Sequence, residues 1–413
     1  MVPGVSKKPQ IIDVEDIKFR LRDYFDRWWE DYTKSPKEFI QPEQYKAVSA
    51  MRSCRTEALG VDHYVCTECG EISYAYHSCK NRFCPTCSWK DTLDWADRVK
   101  DQMLDIPHRH VVFTVPHGLN GLIKENRRHL LSFLFQVSAD TLKDWMWHKH
   151  RLTPGIISVL HTFGEKKDFH THIHMIVSWG GITSSGTVKE IKGEYINYDF
   201  IQTKFRCKFE DKLIELFDTG NLSHKFNSRL AFMQFIKLIN KNQWHVQLEP
   251  AIRMPAEVIR YVGRYSKRAC ISEHKITGID GEYIRFKYKD YKNLDYHGKP
   301  IVKELTLHYA DFFPRLLQHV PLPYFRLVRY YGAYAARTKA MLKEKYPENA
   351  VKEEPVTDDT EVYELPENPK FCKNCHAEKV YVYTVFRTKE GKRVFMSRFN
   401  PKKKDDNPEQ CAA

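Results

Sequence analysis

The sequence predicts an α+β fold, in which antiparallel strands and helices follow a helical and cysteine-rich N-terminal module. The runs "IISVLHTFG" and "FHTHIHMIVSWGG" are rich in β-branched and aromatic residues, and the polar turn "EKKD" between them favours an antiparallel pair. Other stretches repeat their apolar residues at helical spacing. Six of the eleven cysteines fall between Cys54 and Cys87 in paired spacings, which indicates metal binding rather than disulfides.

Upstream of the strand pair, the pattern changes from helical to β-rich and back. Residues 12–51 place apolar and aromatic side chains at helical spacing, among them Tyr24, Phe25 and Trp29. The β-rich run "RHVVFTVP" ends at a proline. From about residue 119 to 150 a helical pattern returns, and it ends at the turn "LTPG". We therefore expect a strand and a long helix before the strand pair.

Downstream of the strand pair, helices and strands continue to alternate. Helical patterns cover residues 198–218 and 228–240, and "QWHVQLEP" predicts another strand. "MPAEVIRYVGRYSKRA" predicts a helix with Pro255 near its first turn. "EYIRFKYKDY" predicts a strand and "ADFFPRLLQHV" a helix. After about residue 345 the chain is charged and punctuated by prolines, which indicates a linker.

The composition indicates a folded chain with a polyanionic partner. The 413 residues include 42% hydrophobic ones, enough for a sizeable core. Lys and Arg outnumber Asp and Glu by 66 to 53, and the net charge of +13 favours nucleic acid over a membrane, with a merely basic soluble protein as the alternative. No apolar run suits a signal peptide or a membrane span, so we expect a cytoplasmic, nucleoid-associated protein.

The cysteine block contains two CxxC knuckles. Cys66 and Cys69 form the first knuckle, Cys84 and Cys87 form the second, and fourteen residues separate them, as in a four-cysteine zinc ribbon. We predict that these four thiolates hold one structural Zn²⁺, because so small a segment lacks a core and zinc binding contributes on the order of 10 kcal/mol to folding. Basic residues of this module are the predicted DNA contacts, namely Arg52, Arg55, Lys80 and Arg82.

A second zinc ion is an open alternative in the same block. Its candidate ligands are Cys54, His63 and Cys79, with His77 as the fourth, and the alternative is that all four are packing residues. The tail has a third CxxC, at Cys372 and Cys375, without a second pair close to it in the sequence. The sequence therefore does not predict a zinc site in the tail.

Alternate residues of the second strand are histidines. His170, His172 and His174 would share one face of a strand, while Phe169, Ile173 and other apolar residues would face the core. Histidines two residues apart on one strand face can chelate a divalent cation, and His161 in the preceding strand could reach across as a third ligand. Such a site suits either catalytic zinc or a cation that binds a phosphodiester oxygen.

The predicted helix "RYVGRYSKRA" presents two tyrosines on one face. Tyr261 and Tyr265 are four residues apart, and Arg268 continues that face. A tyrosine hydroxyl can act as a covalent nucleophile, although its pKa near 10 makes it weak at neutral pH without a nearby cation. The basic neighbours of the tyrosines are Arg260, Arg264 and Lys267. The alternative is an aromatic pair that packs in a helix–sheet core.

Together these motifs resemble the HUH endonucleases, with His172-Ile173-His174 as the HUH motif. More closely, the chain resembles the two-tyrosine rolling-circle transposases of bacterial insertion sequences, the IS91 type, which are related to Helitron transposases. The resemblance covers most of the chain, from "CRTEALG" and "SCKNRFCPTC" through "HVVFTVP", "LHTFGEKKDFHTHIHMIV" and "YVGRYSKRACIS" to "HVPLPYFRLVRYYG". It implies an HUH domain with a central antiparallel sheet flanked by helices, preceded by a helical and zinc-ribbon-like module.

The resemblance also implies the chemistry and its residues. His172 and His174 would hold Mg²⁺ or Mn²⁺ against the scissile phosphate, with His161 as third ligand and His170 as its competitor. Tyr261 and Tyr265 would attack single-stranded DNA to give a 5′-phosphotyrosine and a free 3′-OH. From their placement beside the tyrosines rather than from the resemblance, we expect Arg264 or Lys267 to stabilise the leaving or attacking oxygen, and Arg260 and Arg268 to contact DNA. The expected substrates are hairpin-bearing element ends and a short target motif, handled by a monomer.

The predicted domains follow from these motifs. Residues 1–98 would contain the N-terminal helices and one or two Zn²⁺ ions, and residues 99–275 the catalytic domain. Residues 276–345 would complete the transposase domain, and residues 346–413 would form a linker and a basic tail. Three alternatives stay open: a replication initiator or relaxase with the same chemistry, a non-catalytic zinc-ribbon regulator, and a hydrolase with catalytic zinc. No GxxxxGK[ST] motif is present, which disfavours a P-loop helicase.

Overall fold

The computed structural model describes most of the chain between residues 19 and 396. The described residues are 19–35, 39–88, 95, 98–99, 102–193, 196–241, 244–253, 269–338, 370–388, 390–391 and 393–396. Within them, no helix combines the length and the apolar character needed to cross a membrane. They contain helices and antiparallel strands, as the predicted α+β class requires.

The described helices are α1 (Leu21–Thr33), α2 (Pro42–Arg52), α3 (Asn120–Glu125), α4 (Arg127–His150), α5 (Tyr198–Asp218), α6 (Arg229–Ile239) and α7 (Tyr309–Leu317). The first seven strands are β1 (Val61–Cys66), β2 (Ile72–Tyr76), β3 (His108–Thr114), β4 (Gly155–Phe163), β5 (Phe169–Ser178), β6 (Gly180–Ile182) and β7 (Val188–Glu190). The later strands are β8 (His245–Leu248), β9 (Ile276–Asp280), β10 (Tyr283–Leu294), β11 (Pro300–His308), β12 (Val328–Gly332), β13 (Lys379–Arg387) and β14 (Arg393–Met396).

The central sheet has the strand order β12-β4-β5-β3-β8, and every neighbouring pair is antiparallel. The predicted hairpin of "IISVLHTFG" and "FHTHIHMIVSWGG" is confirmed as β4 and β5, of which β5 is the central strand of the sheet. On β5, the residues Phe169, Ile173, Met175 and Val177 are buried in the main hydrophobic cluster, to which α4, α5 and α6 also contribute. The alternate residues of β5, including the histidines, therefore face away from these helices.

A second hydrophobic cluster joins the N-terminal helices to residues far along the chain. Phe25 of α1 stacks on Phe313 of α7 with ring centroids 4.2 Å apart. Tyr24, Trp29 and Tyr32 surround the Phe313 ring edge-on. Buried residues of β9 and β10 and the cysteines Cys54, Cys84 and Cys87 belong to the same cluster. The N-terminal helices and the cysteine-rich block thus pack against the segment around residues 270–320.

A small four-stranded sheet brings together the two ends of the described chain. Its order is β14-β13-β1-β2, and all its neighbouring strands pair antiparallel. β13 pairs directly with β1, with Val385 opposite Val61 and Lys379 opposite Cys66. Residues 370–396, which the sequence predicts only as a tail, therefore contribute two strands to the N-terminal module.

Candidate active site and metal-binding clusters

Three histidines converge on one face of the central sheet. The antiparallel register of β4 and β5 sets His161 directly opposite His172. His174 lies two residues further along β5, on the same face as His172. One ring nitrogen from each of the three residues lies within 4.8 Å of the other two. This group, which we call the histidine cluster, is compact enough for its three imidazoles to share one metal ion.

Hydrogen bonds fix which ring nitrogens face the centre of the histidine cluster. His172 Nδ1 donates to the carbonyl oxygen of His170 at 3.0 Å. His174 Nδ1 lies 2.8 Å from His110 Nε2, and His110 Nδ1 lies 3.2 Å from Glu249 Oε1. A consistent proton assignment has His174 Nδ1 donating to His110 Nε2, which leaves the proton of the neutral His110 ring on Nδ1, the atom that lies near the Glu249 carboxylate. The Nε2 atoms of His172 and His174 are then left available to a metal ion.

Desolvation favours the neutral form of the His172 and His174 imidazoles. Desolvation lowers the pKa of His172 and of His174 well below the ordinary histidine range, and the neighbouring His161 lowers both further. Both rings are therefore neutral at pH 7, as a metal ligand must be. A set of imidazoles has a higher affinity for Mn²⁺ or softer ions than for Mg²⁺, which prefers oxygen ligands.

Of the two candidates for third ligand, the structure brings His161 into the cluster. His161 is buried beside His172 and His174, with ring centroids 5.3 and 4.6 Å away. His170, the second residue of β5, is half-buried and is not part of the three-residue group. Its ring centroid lies 5.1 Å from that of His172, on the outer side of the cluster.

Eight cysteines form two groups of four, and in each group the Sγ atoms lie within 4.8 Å of one another. The first cysteine cluster consists of Cys54, Cys79, Cys84 and Cys87, and the second cysteine cluster of Cys66, Cys69, Cys372 and Cys375. The prediction that the knuckles of Cys66 and Cys84 share one ion is wrong. The reason is the pairing of β1 with β13, which brings the tail cysteines to the first knuckle. The second pair that Cys372 and Cys375 lack in the nearby sequence is thus supplied by Cys66 and Cys69.

The first cysteine cluster has the dimensions of a zinc site. Cys87 Sγ lies 3.4 Å from Cys54 Sγ and 3.5 Å from Cys79 Sγ. Tetrahedral coordination with Zn–S bonds of about 2.3 Å sets the sulfurs about 3.8 Å apart, whereas a disulfide would require about 2.05 Å. Four thiolates in this arrangement fit Zn²⁺.

The two histidines predicted as ligands of a second zinc ion contact other groups. His77 Nε2 lies 2.9 Å from Asp62 Oδ1, and its Nδ1 lies 2.9 Å from the carbonyl oxygen of Leu59. His63 stacks on Tyr383 of β13 with ring centroids 4.4 Å apart. The prediction of a site made from Cys54, His63, Cys79 and His77 is wrong, because only its two cysteines belong to a cluster.

The tyrosine segment lies outside the described residues. This applies to Tyr261, Tyr265, Arg264, Lys267, Arg260 and Arg268. The described chain resumes at Ala269, whose N–H donates to Ser88 Oγ at 2.9 Å. Ala269 also lines a small cavity together with His161 and Arg82. Ala269 itself therefore lies close to both the histidine cluster and the first cysteine cluster.

The four basic residues predicted to contact DNA differ in their surroundings. Arg52 forms ion pairs with Asp26 and Glu30, with nitrogen–oxygen distances of 2.6 and 3.2 Å. Arg55 and Lys80 are exposed, and both have a left-handed backbone conformation with φ of 55° and 50°. Arg82 is half-buried and lines the cavity next to His161.

Sequence reasoning missed His110 and Glu249. His110 lies on β3, in the run "HRHVV", and β3 is a neighbour of β5. Glu249 directly follows β8, which pairs with the other edge of β3. The histidine itself is visible in the sequence. Its contact with His174 depends on the register of β3 against β5, which no local pattern reveals.

Comparison with known proteins gives consistent matches along the chain. A family model described as "Putative transposase" matches residues 155–341, and one described as "Transposase zinc-binding domain" matches residues 24–115. The "Putative transposase y4qJ" of Sinorhizobium fredii is 30% identical over 321 residues, which are 76% of this chain and 79% of that protein. The "Transposase for insertion sequence element IS801" of Pseudomonas savastanoi pv. phaseolicola is 30% identical over 302 residues, 71% of each chain. No solved structure matches the chain.

Proposed function

The chain belongs to the IS91-type transposases with an N-terminal zinc-binding domain, and on that basis we propose that it cleaves and rejoins single-stranded DNA by tyrosine transesterification. The observation that supports this chemistry is the histidine cluster of His161, His172 and His174, which lies within the region matched by the transposase model. The proposed outcome is movement of an insertion sequence by a rolling-circle-like route, with DNA as the partner.

The proposed step exchanges one phosphodiester for another. The phenol oxygen of Tyr261 or Tyr265 forms a bond to the scissile phosphorus, and the bond from phosphorus to the 3′ oxygen breaks. The products are a 5′-phosphotyrosine and a strand with a free 3′-OH, which takes up a proton as the phenol loses one. Attack by a 3′-OH reverses the step and rejoins strands, so no external energy source is required. Two tyrosines in one chain can hold two strands at once, which suits a monomer.

The histidine cluster would hold the divalent cation that this step needs. A bound Mn²⁺ or Mg²⁺ supplies polarisation of the scissile phosphate. The protein's own contribution is orientation, because His110 and Glu249 fix the His174 ring and the His170 carbonyl oxygen fixes the His172 ring. Burial of the two ligand rings keeps them neutral and ready to bind at pH 7.

The length of the chain between Ala269 and the tyrosines is compatible with this proposal. Ala269 lines the same cavity as His161. Tyr265 precedes Ala269 by four residues, a span of at most about 14 Å between the two Cα atoms. The side chain of Tyr265 adds to that reach, and Tyr261 is four residues further upstream. Both tyrosines are therefore candidates for attack at a phosphate bound by the histidine cluster.

Basic residues on both sides of the tyrosines would bind the DNA backbone. Arg264 or Lys267 would stabilise the charge on the leaving or attacking oxygen. Arg55, Lys80 and Arg82 remain the best candidates for phosphate contacts in the N-terminal module, because Arg52 already pairs with Asp26 and Glu30. Arg260 and Arg268 would extend this basic path next to the tyrosines. Hairpin-bearing element ends and a short target motif are the proposed substrates.

Covalent capture of labelled single-stranded oligonucleotides from the element's ends tests the function. Wild-type protein should give a denaturant-resistant protein–DNA adduct in Mn²⁺ and none in the presence of a chelator. The Tyr261→Phe and Tyr265→Phe double variant should form no adduct, and the two single variants should show which tyrosine acts first. Tyr296→Phe is the matched control, because Tyr296 is 92% exposed in the turn between β10 and β11, and it should behave as wild type.

The absence of an adduct on every strand tested, despite tight DNA binding, would contradict the proposal. That outcome would favour the non-catalytic zinc-ribbon regulator instead. Cleavage with turnover but no covalent intermediate would favour a hydrolase with catalytic zinc at the histidine cluster. Cleavage and joining at a replication origin or transfer origin alone would favour a replication initiator or relaxase.

A further inference from the structure

We propose that the second cysteine cluster binds a structural Zn²⁺ ion of its own, which fastens the C-terminal tail to the N-terminal module. The ligands are Cys66 and Cys69 from one end of the chain and Cys372 and Cys375 from the other. This site is separate from the first cysteine cluster, which has its own four thiols. The inference does not depend on the proposed DNA chemistry.

The first pair of ligands lies on a tight turn that follows β1. The N–H of Gly70 donates to the carbonyl oxygen of Cys66 at 2.9 Å, and the N–H of Cys66 donates to the carbonyl oxygen of Glu71 at 2.9 Å. Gly70 has φ of 75°, a left-handed conformation that glycine adopts without strain. The backbone N–H of Cys69 also points to the Cys66 sulfur. Such a turn allows both thiols to bind one metal ion.

The second pair of ligands lies on a turn with the same hydrogen bonds. The N–H of His376 donates to the carbonyl oxygen of Cys372 at 3.0 Å, and the N–H of Cys372 donates to the carbonyl oxygen of Ala377 at 2.8 Å. His376 has φ of 58° at the position that Gly70 occupies in the first turn. The N–H of Cys375 points to the Cys372 sulfur. The two turns have matching hydrogen bonds, and their four thiols lie close together. This arrangement indicates that both turns bind the same metal ion.

The distances between the sulfurs fit one tetrahedral ion. Cys66 Sγ lies 3.4 Å from Cys375 Sγ, and Cys69 Sγ lies 3.4 Å from Cys372 Sγ and 3.7 Å from Cys375 Sγ. These values are close to the edge of about 3.8 Å expected for four sulfurs around Zn²⁺ and far from the 2.05 Å of a disulfide. Four thiolates without histidine or carboxylate select Zn²⁺ over oxygen-preferring ions such as Mg²⁺.

The strand pairing explains how such distant cysteines meet. β1 ends at Cys66 and β13 begins at Lys379, and these two residues are opposite each other in the antiparallel register. The turn after β1 and the turn before β13 therefore lie at the same end of the sheet. Cys69 and Cys372 are 303 residues apart, so their contact closes a very long loop. A strong metal–thiolate site is a suitable way to offset the entropy of that closure.

The small sheet buries few apolar side chains, with Val61 and Val385 among them. Ile72, Tyr74, Tyr76 and Val380 each expose at least half of their surface. Among the described residues, none from β1, β2, β13 or β14 belongs to the three hydrophobic clusters of the protein. Domains with so little buried apolar area commonly depend on structural zinc.

Zinc counting on the purified full-length protein tests the inference. Elemental analysis of wild type should give two zinc ions per chain, one for each cysteine cluster. The Cys372→Ser and Cys375→Ser double variant should retain one zinc ion, in the first cysteine cluster. Cys207→Ser is the matched control, because Cys207 is exposed on α5 and outside both clusters, and it should retain two zinc ions. Two zinc ions in the double variant would overturn the inference.

Thiol labelling of the wild-type protein provides a measurement that does not depend on a variant's folding. In the native, zinc-loaded protein, iodoacetamide should modify Cys207 rapidly and leave Cys66, Cys69, Cys372 and Cys375 unmodified. A zinc chelator should make these four residues reactive together, as read by peptide mass spectrometry. If Cys372 and Cys375 reacted as fast as Cys207 before chelation, the proposed site would be refuted, whatever the DNA-cleavage activity of the sample.

Discussion

At the scale of single residues, the histidine cluster depends on groups that do not themselves face the metal position. His110 is 5% exposed and lies between the His174 ring and the carboxylate of Glu249. A carboxylate–histidine–histidine chain of this kind fixes the proton and the orientation of the ligand ring. We therefore propose that His110 is a positioning residue rather than a metal ligand.

Replacement of His110 by alanine should weaken metal binding without removing a ligand. Loss of a group that hydrogen-bonds to a metal-binding histidine typically lowers metal affinity by about 10- to 100-fold. The Mn²⁺ concentration required for half-maximal adduct formation should rise by that factor, whereas saturating Mn²⁺ should restore most of the adduct. His129→Ala, an exposed histidine on α4, is the control. An unchanged Mn²⁺ requirement in His110→Ala would show that the contact with His174 has no positioning role.

A buried histidine away from the histidine cluster should make stability depend on pH. Desolvation lowers the pKa of His319 to about 3, and its ring nitrogens lie 3.0 Å from Thr162 Oγ1 and 3.1 Å from the Lys167 carbonyl oxygen. Below pH 6.5 the unfolded chain protonates this histidine while the folded chain does not. The stabilising contribution of the neutral His319 ring to the free energy of unfolding is therefore complete above about pH 6.5. This contribution decreases as the pH falls towards 3.

Between pH 7 and pH 5, this residue should cost the folded state about 2 kcal/mol. The free energy of unfolding of His319→Gln should accordingly fall by about 2 kcal/mol less than that of wild type over this interval. Urea denaturation at the two pH values measures the difference. His297→Gln, an exposed histidine, should leave the pH dependence as it is in wild type. Parallel wild-type and His319→Gln profiles would contradict the expected protonation.

At the scale of elements, local patterns predicted most helices and strands, since periodicity reports burial on one face. The helix predicted at residues 198–218 and the predicted hairpin of β4 and β5 are confirmed. The helical stretch predicted for residues 12–51 is divided, because α1 ends at Thr33 and α2 begins at Pro42. The long helix predicted from residue 119 is likewise interrupted at Asn126, where the backbone leaves the helical conformation.

Phe313 should be the residue on which the packing of α1 against α7 depends most. It is fully buried and contacts four aromatic side chains of α1. Phe313→Ala should lower the free energy of unfolding by about 3–5 kcal/mol, because it removes a buried ring and leaves a cavity. Phe39→Ala is the matched control, since Phe39 is 86% exposed, and should change stability by less than about 0.5 kcal/mol. Equal effects of the two substitutions in urea denaturation would argue against this packing.

At the scale of the whole molecule, the sequence could not predict which cysteines share an ion. The spacing of Cys66, Cys69, Cys84 and Cys87 suits one zinc ribbon, yet the strand pairing of β1 with β13 divides them between two clusters. Such pairing connects residues about 300 positions apart, and no local pattern reports it. The contact of His110 with His174 was missed for the same reason. The domain boundaries at residues 98, 275 and 345 stay predictions.

Zinc removal should destabilise the protein beyond its cysteine-rich block. Cys54, Cys84 and Cys87 belong to the same hydrophobic cluster as α1, α2 and α7, so loss of their ion should loosen that packing as well. The midpoint of thermal unfolding should fall when a chelator removes zinc, and it should recover when zinc is added back. A midpoint that does not change while elemental analysis shows that zinc has left would contradict a structural role.

The most direct test of the central claim compares His161→Ala with His170→Ala in the covalent capture of single-stranded DNA. We predict that His161→Ala, like His172→Ala, forms no adduct at the Mn²⁺ concentration at which wild type forms it fully. His170→Ala should retain its adduct, because its ring lies outside the three-residue group. If His161→Ala formed the adduct as well as wild type, or if only His170→Ala lost it, the three-histidine site would be the wrong catalytic centre.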